Sequence, residues 1–374
     1  MKLPSPAHLE TAEPLSDYGG SRESTAHYLL VQPSNLEDLQ AAVLWANDNQ
    51  VPIRIRGNGH SMNGSSVPRA DELLISMRQC THFRFEEEGT ITAGAGAAIW
   101  DVNAVARNHG FRLLVYNDGN SAASSVGGYL AAGGFGEGSG SFGGFWETVK
   151  EISMVAGSGR ILHLTAADPE FRWIFGSMGQ FGIAFELKLR ILPCATSVRS
   201  YPAGLNGLVK RSEAQWEPIL WYTLFVPASE STEARRKIIA IGAKYRHAWR
   251  GRWPYSYPIR FQRFNPPLIH PVQESLTAVG IWGTPHSSGF DREAIAAIET
   301  NIDQLAAANA RYRRYIQSEL TPEGYDFERY WGPAVYSGFA AIKTIMDPMG
   351  LMVPGLLKES FPSTAIGAGP QGRL

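Results

Sequence analysis

Residues 118–144 read D-G-N-S-A-A-S-S-V-G-G-Y-L-A-A-G-G-F-G-E-G-S-G-S-F-G-G, and residues 56–61 read R-G-N-G-H-S. The longer stretch contains ten glycines between Gly119 and Gly144. Glycine loses more backbone entropy on folding than any other residue, so two such tracts in one chain need a compensating reason. They predict loops whose backbone lies close to a bound ligand.

The residue types of the shorter loop suit an anion. Gly57 and Gly59 allow backbone N–H groups to converge on a negative group, and Arg56 adds a positive charge. Ser61 and Asn63 add side-chain donors. The loop is therefore predicted to hold a pyrophosphate.

His60 lies in the same loop and has two interpretations. It is either a surface-loop histidine without a chemical task or a neutral imidazole placed as a nucleophile against a bound cofactor. The residues around it leave both interpretations open.

A second motif, G-S-G-S-F-G at 138–143, matches the dinucleotide pattern G-x-G-x-x-G. It follows no clear strand, opens no clear helix, and has His163 rather than an acidic residue about 20 positions past its end. We interpret this match as a coincidence within a glycine-rich tract.

Length and composition predict a protein with a sizeable core and two lobes. The chain has 374 residues, 44% of them hydrophobic, and a formal net charge of -1. Single cores stop growing near ~250–300 residues. Cys80 and Cys194 are too few for a disulfide framework, which indicates either a reducing compartment or a fold that does not depend on redox conditions. The sequence shows neither a signal-like apolar core nor a run of ~20 apolar residues, so we expect a soluble, cytoplasmic protein without a membrane partner.

The apolar spacing predicts a mixture of strands and helices without strict alternation, which is typical of an α+β fold. A strand over 28–34 and a helix over 35–47 come first, and a strand over 51–56 leads into the shorter glycine loop. Further predicted elements are a helix over 99–108 and strands over 72–76, 90–93, 112–116, 149–155, 160–164 and 184–192.

Five segments taken together resemble the FAD-linked oxidases of the vanillyl-alcohol oxidase superfamily, whose FAD-binding domain is of the PCMH type. Within that superfamily the chain looks most similar to cytokinin dehydrogenases and to sugar-alcohol or lactone oxidases. The resemblance covers roughly residues 25–195 and a terminal segment. The segments are R-G-N-G-H-S-M-N-G at 56–64, S-S-V-G-G-Y-L-A-A-G-G at 124–134, V-A-G-S-G-R-I-L at 155–162, G-S-M-G-Q-F-G-I at 176–183 and D-P-M-G-L-M-V-P-G at 347–355.

The resemblance implies FAD as the cofactor and a loop at 56–61 that wraps its pyrophosphate. It also implies a covalent bond between His60 and the 8α-methyl carbon of the flavin. Because residues 129–146 contain no cysteine, a second, cysteinyl link is not expected. The cofactor-binding residues implied in this way are Arg56, Gly57, Asn58, Gly59, His60, Ser61, Asn63, Gly64, Ser121, Ser125, Gly127, Gly128, Gly133, Gly182 and Ile183.

The reaction implied by the resemblance is hydride transfer from a CH–OH or CH–NH bond of a small organic substrate to flavin N5. Cytokinin dehydrogenases place an acid shortly before the long glycine tract, where this chain has Asn120, with Asp118 two residues earlier. Asp118 and Asn120 are therefore the catalytic candidates. An equally good interpretation of Asp118-Gly119 is a turn.

The predicted domain organisation is an FAD-binding domain over 1–195 and a short substrate cap domain over 196–325. A return to the first domain follows over 326–362, and then a disordered tail over 363–374. No metal site is predicted. Two alternatives to the oxidoreductase stay open: a flavoprotein of the same fold that catalyses cyclisation or rearrangement in secondary metabolism, and a non-catalytic flavin-binding protein.

The predicted cap domain contains a basic run. Nine lysines and arginines lie between Arg235 and Arg263 with no acidic residue among them. The run is either a solvated face or a surface that recruits an anionic or carrier-bound substrate. Nucleic acid ranks last as a partner because no nucleic-acid-binding module accompanies the charges.

Overall fold

The computed structural model describes residues 7–10, 15–18, 23–24, 28–86, 89–117, 124–196, 220–270, 272–285, 291–316 and 327–352. In these ranges the strands are β1 (Ala7–Glu10), β2 (Leu15–Ser16), β3 (Glu23–Ser24), β4 (Tyr28–Val31), β5 (Ile53–Arg56), β6 (Leu73–Ser76), β7 (Phe83–Glu86), β8 (Thr90–Gly94), β9 (Phe111–Leu113), β10 (Val149–Ala156), β11 (Ile161–Thr165), β12 (Gly182–Pro193), β13 (Leu220–Pro227), β14 (Trp249–Ile259), β15 (Leu276–Pro285) and β16 (Arg313–Arg314).

The α-helices of the same ranges are α1 (Leu36–Asn49), α2 (Ile99–Asn108), α3 (Val126–Ala132), α4 (Ser139–Phe142), α5 (Phe171–Ile174), α6 (Ser231–Lys244), α7 (Arg292–Ala307), α8 (Phe327–Trp331) and α9 (Pro333–Met346). Both secondary-structure types are abundant, which confirms the α+β class.

The first sheet carries the shorter glycine loop. Its strand order is β1-β4-β6-β5, with β4, β6 and β5 parallel and β1 antiparallel to β4. Helix α1 connects β4 to β5, and its N-cap Asn35 accepts a hydrogen bond from Asp38 N. The apolar residues Leu39, Val43 and Ala46 are buried on one helix face, as their spacing predicts. Strand β5 therefore ends at Arg56, where the loop begins.

The second sheet is antiparallel and has the order β11-β10-β12-β8-β7. Strand β12 is its longest member and also pairs with β9 beyond the end of β8. The predicted strand over 112–116 is shorter than expected because Tyr116 leaves it to form an isolated bridge with Glu137. The region 138–143 contains only the four-residue helix α4, so the coincidental interpretation of G-S-G-S-F-G stands.

The third sheet lies within residues 196–325 and has the order β14-β15-β13-β16, all antiparallel. Its two faces differ because side chains alternate along each strand. One face packs against helices α6 and α7 in an apolar cluster that includes Tyr222, Leu224 and Ile238. The other face carries Trp221, Phe225 and Tyr257 toward the first two sheets. The sheet thus presents one aromatic surface to the rest of the molecule.

Helix α9 returns the chain to the first sheet. Ile53 N donates to Leu351 O at 2.8 Å, and Met352 forms a parallel bridge with Ile53. The buried Asp347 carboxylate accepts from Lys343 Nζ at 2.7 Å and from Met352 N at 2.9 Å. This ion pair fixes the turn after the helix.

A buried ionic cluster lies behind the aromatic surface. The side chain of Arg314 is within 3.6 Å of Asp303 and 4.0 Å of Glu299, and it also lies over the ring of Tyr222. Two carboxylates thus share one guanidinium away from water. Burial, reinforced by Glu299 and opposed by Arg314, raises the pKa of Asp303 to about 7.

This cluster predicts a pH-dependent stability. Between pH ~4, where an unfolded aspartate titrates, and pH ~7, the folded protein binds more protons, so its stability falls as pH rises. Asp303→Asn removes the titration. We expect the free energy of unfolding of the variant, relative to wild type, to increase by about 1–3 kcal/mol between pH 5 and pH 8 in urea titrations. Asp48→Asn, at an exposed position, should show no such trend. If the free energies of unfolding of Asp303→Asn and of wild type changed with pH in the same way, the assignment of the titration to Asp303 would be contradicted.

Candidate functional site

A cavity lies where the shorter glycine loop, helix α3 and the aromatic surface of the third sheet meet. Of the residues proposed from the sequence, its wall contains Gly57, Asn58, Gly59, His60, Ser61, Ser125, Gly127, Gly128, Gly182 and Ile183. Arg56, Asn63, Gly64 and Gly133 do not line it. Asp118, Asn120 and Ser121 lie outside the described residues.

The two glycine loops contact each other. A Cβ added to Gly57 would overlap Ser125 Oγ and stand 2.9 Å from Ser125 Cβ, and one added to Gly127 would stand 2.9 Å from Ala95 Cβ. Ser125 Oγ accepts from Gly128 N at 3.2 Å and caps helix α3. The close approach explains why the sequence has glycine at 57 and 127, and it leaves backbone rather than side chains on the cavity wall.

His60 is held by Tyr18. Their ring centroids are 3.9 Å apart, and Tyr18 N donates to Gly59 O at 2.9 Å and to Ser61 O at 3.0 Å. Burial lowers the pKa of His60 to about 4, so its imidazole is neutral at pH 7. Tyr18 also lines the cavity, although nothing in the sequence around it indicated a site.

Arg56 supports the loop from behind. Its guanidinium donates to Ser66 O at 3.2 Å and to Ser16 O at 2.9 Å. A Cβ at Gly59, whose φ is +76°, would overlap this guanidinium. Burial and the nearby charge of Arg78 lower the pKa of Arg56 to about 10, which leaves it charged at pH 7. The arginine expected at an anion therefore pairs with main-chain carbonyls.

The other predicted residues outside the wall also fix the backbone. Asn63 Nδ2 donates to Ile316 O at 2.6 Å, which ties the loop to the chain after β16. Gly64 N donates to Asp17 Oδ2 at 2.8 Å. Gly133 ends helix α3 with a φ of +70°, a conformation that favours glycine.

The wall opposite the third sheet is apolar. It includes Met154, Phe181 and Ile183, all almost completely buried. Gly182, which pairs with Ala156, lies so close to strand β10 that an added Cβ would stand 2.7 Å from Ala156 Cα. A flat, apolar group can therefore lie against this wall.

The third sheet contributes aromatic side chains that are not among the site residues implied by the resemblance, although the sequence suggests Trp221 and Trp282 either for a ring-bearing or lipid-like substrate or for the core of the cap. Tyr255 is the most constrained: its hydroxyl contacts Thr223 Oγ1 and accepts a hydrogen bond from Trp221 Nε1. Burial raises the pKa of Tyr255 and of Tyr315 well above the ordinary value, so both phenols are protonated at neutral pH. The aromatic residues of the cavity wall from this sheet are Trp221, Tyr255, Tyr257 and Trp282, and Tyr315, directly after strand β16, also lines the wall.

The helical part of the basic run lies away from the cavity. Helix α6 packs on the face of the third sheet opposite the aromatic surface, and Arg236 and Lys237 both pair with Glu233. Arg263 pairs with the buried Glu147 at 2.7 Å and so connects the third sheet to the glycine-rich region. The exposed charges of helix α6 support the interpretation of this part of the run as a solvated face, whereas Arg263 has a structural partner.

None of the helices in the described part of the chain combines the length and apolarity needed to cross a membrane. Within the same ranges, no group of three or more His, Cys, Asp or Glu residues is arranged to hold a metal ion.

The contact between the glycine loops predicts a strong effect of one methyl group. Gly57→Ala should separate the loops and lower the amount of FAD retained on purification at least about tenfold, because overpacking at such a contact costs ~1–3 kcal/mol. Gly57→Ala combined with Ser125→Gly should recover binding, since the second change removes the overlapping hydroxymethyl group. Ser125→Gly alone is the matched control and should cost little. Unchanged FAD content in Gly57→Ala, measured by absorbance, would contradict the model of close contact.

Comparison with known proteins agrees with this geometry. Residues 28–165 match a family described as an FAD binding domain. The chain is 29% identical over 204 residues to an uncharacterized oxidoreductase of the fasciation locus of Rhodococcoides fascians, which covers 54% of this chain and 45% of the relative.

Two further relatives have more specific names. A D-lactate dehydrogenase of Archaeoglobus fulgidus is 23% identical over 175 residues, covering 45% of this chain and 39% of the relative. Berberine bridge enzyme-like D-2 of Nicotiana tabacum is 27% identical over 234 residues, covering 58% and 40%. In each case the matched region spans less than half of the relative's length. Residues 28–165 therefore match an FAD-binding domain, and the relatives that match this part of the chain include oxidoreductases, in agreement with the resemblance to the vanillyl-alcohol oxidase superfamily.

Proposed function

We propose that the protein is an FAD-dependent oxidoreductase that oxidises a CH–OH or CH–NH bond of a small organic molecule. One observation carries the proposal: a single cavity has the glycine loops of the FAD-binding domain on one side and the aromatic surface of the third sheet on the other. A cofactor and a substrate can therefore meet in the same cavity.

The cavity residues suit FAD. The shorter loop offers neutral donors from Asn58 and Ser61, and the loop contact at Ser125 leaves backbone on the wall. Met154 and Ile183 provide an apolar surface for a flat ring system. When bound, FAD supplies a two-electron acceptor, and the protein's part is to orient the substrate and exclude water.

The third sheet supplies the substrate side in this proposal. Residues 196–325 would act as the cap domain, with the aromatic wall facing the cofactor and helices α6 and α7 supporting it from behind. Asp118 remains the proposed base. Asn120 remains the second catalytic candidate, and its neutral amide can form hydrogen bonds but cannot act as a base. The wall provided by the described residues contains no Asp, Glu, Lys or Arg, so in this proposal removal of the substrate proton falls to Asp118.

Anaerobic reduction tests the function. We expect at least one compound in a panel of benzyl alcohol, benzylamine and cyclohexanol to bleach the bound flavin in a single turnover. Denatured protein with the same concentration of free FAD is the control. A holoprotein that binds panel compounds but is never reduced, while dithionite reduces it normally, would contradict an oxidoreductase.

We also propose that His60 is the covalent attachment point of FAD. Three features support this proposal. The imidazole lines the cavity, its nitrogen is unprotonated at pH 7 and so has a lone pair, and the contact with Tyr18 together with the two hydrogen bonds from Tyr18 N restricts its motion.

The attachment is tested by acid precipitation. In wild type the flavin should remain with the precipitated polypeptide, whereas in His60→Ala it should appear in the supernatant. Circular dichroism should show the same secondary structure for both, because the imidazole is not part of the core. His109→Ala is a matched control on the same domain and should retain the flavin. Complete release from wild type would show that the link is absent.

A further inference from the structure

We propose that the third-sheet end of the cavity binds an uncharged aromatic ring and that Phe135 determines this specificity. As a statement about the substrate, the inference rests on the proposed function. As a statement about binding, it stands on the geometry of Phe135 and its neighbours.

Phe135 projects from the long glycine tract into the aromatic surface of the third sheet. Its ring centroid is 5.3 Å from that of Tyr315, 5.4 Å from Phe225 and 5.9 Å from Tyr257, each in an edge-to-face arrangement. It lines the cavity and is only half-buried, so part of the ring is open to a ligand. The four rings that line the cavity here, Phe135, Trp221, Tyr257 and Tyr315, form an aromatic box, and the fully buried Phe225 packs behind it.

The glycines on both sides of Phe135 explain how the backbone reaches this position. A Cβ at Gly134 would stand 2.5 Å from Tyr129 Cζ, and one at Gly136 would stand 3.1 Å from Asn117 Cα. Side chains at these two positions would push the tract away from helix α3 and the segment before it. The G-G-F-G sequence at 133–136 therefore sets the position of a single ring, a role that cofactor binding alone does not require.

Tyr255 provides a fixed surface beside the box. It lies opposite Gly280 in the sheet register, and Thr223 lies opposite Gly280 on the other side. A Cβ at Gly280 would stand 2.6 Å from the Tyr255 hydroxyl. Because Gly280 has no side chain, the Tyr255 ring crosses strand β15 and its hydroxyl reaches Thr223 and Trp221. The wall is thus ordered before any ligand binds.

The third-sheet end of the cavity, on the side opposite the glycine loops, selects against ions. Among the described residues that line the cavity, no Asp, Glu, Lys or Arg occurs, and the one histidine is neutral at pH 7. Moving a carboxylate into such a site without a partner costs far more than moving an uncharged amide or hydroxyl. Aromatic walls, in contrast, favour edge-to-face and offset contacts with a ligand ring.

Three probes that cannot be oxidised at a CH–OH or CH–NH bond distinguish the effects of the ligand's aromatic ring, charge and shape on its affinity. Benzamide is an uncharged aromatic ring, benzoate adds the charge, and cyclohexanecarboxamide removes the aromaticity. We expect calorimetric titration of the wild-type holoprotein at pH 7 to give the tightest binding for benzamide and at least about tenfold weaker binding for benzoate.

Phe135→Leu keeps an apolar side chain and removes the ring. It should weaken benzamide binding about two- to tenfold, because contacts between aromatic rings add to the stabilisation from buried area, and it should leave cyclohexanecarboxamide nearly unchanged. Phe83→Leu, at an exposed position in strand β7, should change neither affinity. Thermal unfolding of each variant verifies that the fold is kept. If Phe135→Leu unfolds, Phe135→Tyr, which keeps the ring, should bind benzamide within about twofold of wild type.

Equal affinities for benzamide and benzoate, or unchanged benzamide affinity in folded Phe135→Leu, would overturn the inference. Failure of the proposed function has a different signature. In that case benzamide binds as expected while no alcohol or amine reduces the flavin. Reduction by D-lactate without any benzamide binding would leave the oxidoreductase in place and remove the aromatic box as its substrate site.

Discussion

The contact between Gly57 and Ser125 is the constraint on which the site depends. It joins the end of strand β5 to the start of helix α3, and no side chain larger than hydrogen fits at position 57. Close packing of this kind tolerates little change in volume, because the surrounding groups are held in place on all sides. The contact therefore sets the distance between the two glycine loops, and both loops line the cavity.

Several contacts connect the two glycine loops to the third sheet. Asn63 in the shorter loop binds Ile316 O, one residue after Tyr315 of the cavity wall. Arg263, just beyond strand β14, pairs with the buried Glu147 next to the long glycine tract. Buried ion pairs are weak evidence for net stability, but removal of one partner is costly, so such a pair fixes geometry. The two walls of the cavity are therefore held in register with each other.

Arg56 shows the limit of reasoning from residue types. A positive charge in a glycine loop suggests an anion, yet the guanidinium lies beneath the loop and bonds main-chain carbonyls of residues 16 and 66. The donors of Arg56 that form these bonds are therefore taken up by segments that folding brings near, and not by a ligand. Tyr18 is the complementary case, since it lies beside His60 only because the N-terminal strand pair packs against the loop.

The sequence by itself determined the local elements and the cofactor side of the site. Helix α2 has the predicted bounds Ile99–Asn108, Asn35 caps helix α1 as its position predicts, and the loop residues 57–61 line the cavity together. These features depend on periodicity, capping and glycine placement within short stretches of chain. The aromatic wall depended on tertiary structure, because Phe135, Tyr255 and Tyr315 are separated by scores of residues and meet only when a strand face turns toward the glycine tract. Helices α6 and α7 pack on one face of the third sheet, and this packing decides that the other face turns toward the cavity. A local sequence pattern does not show which of the two faces will do so.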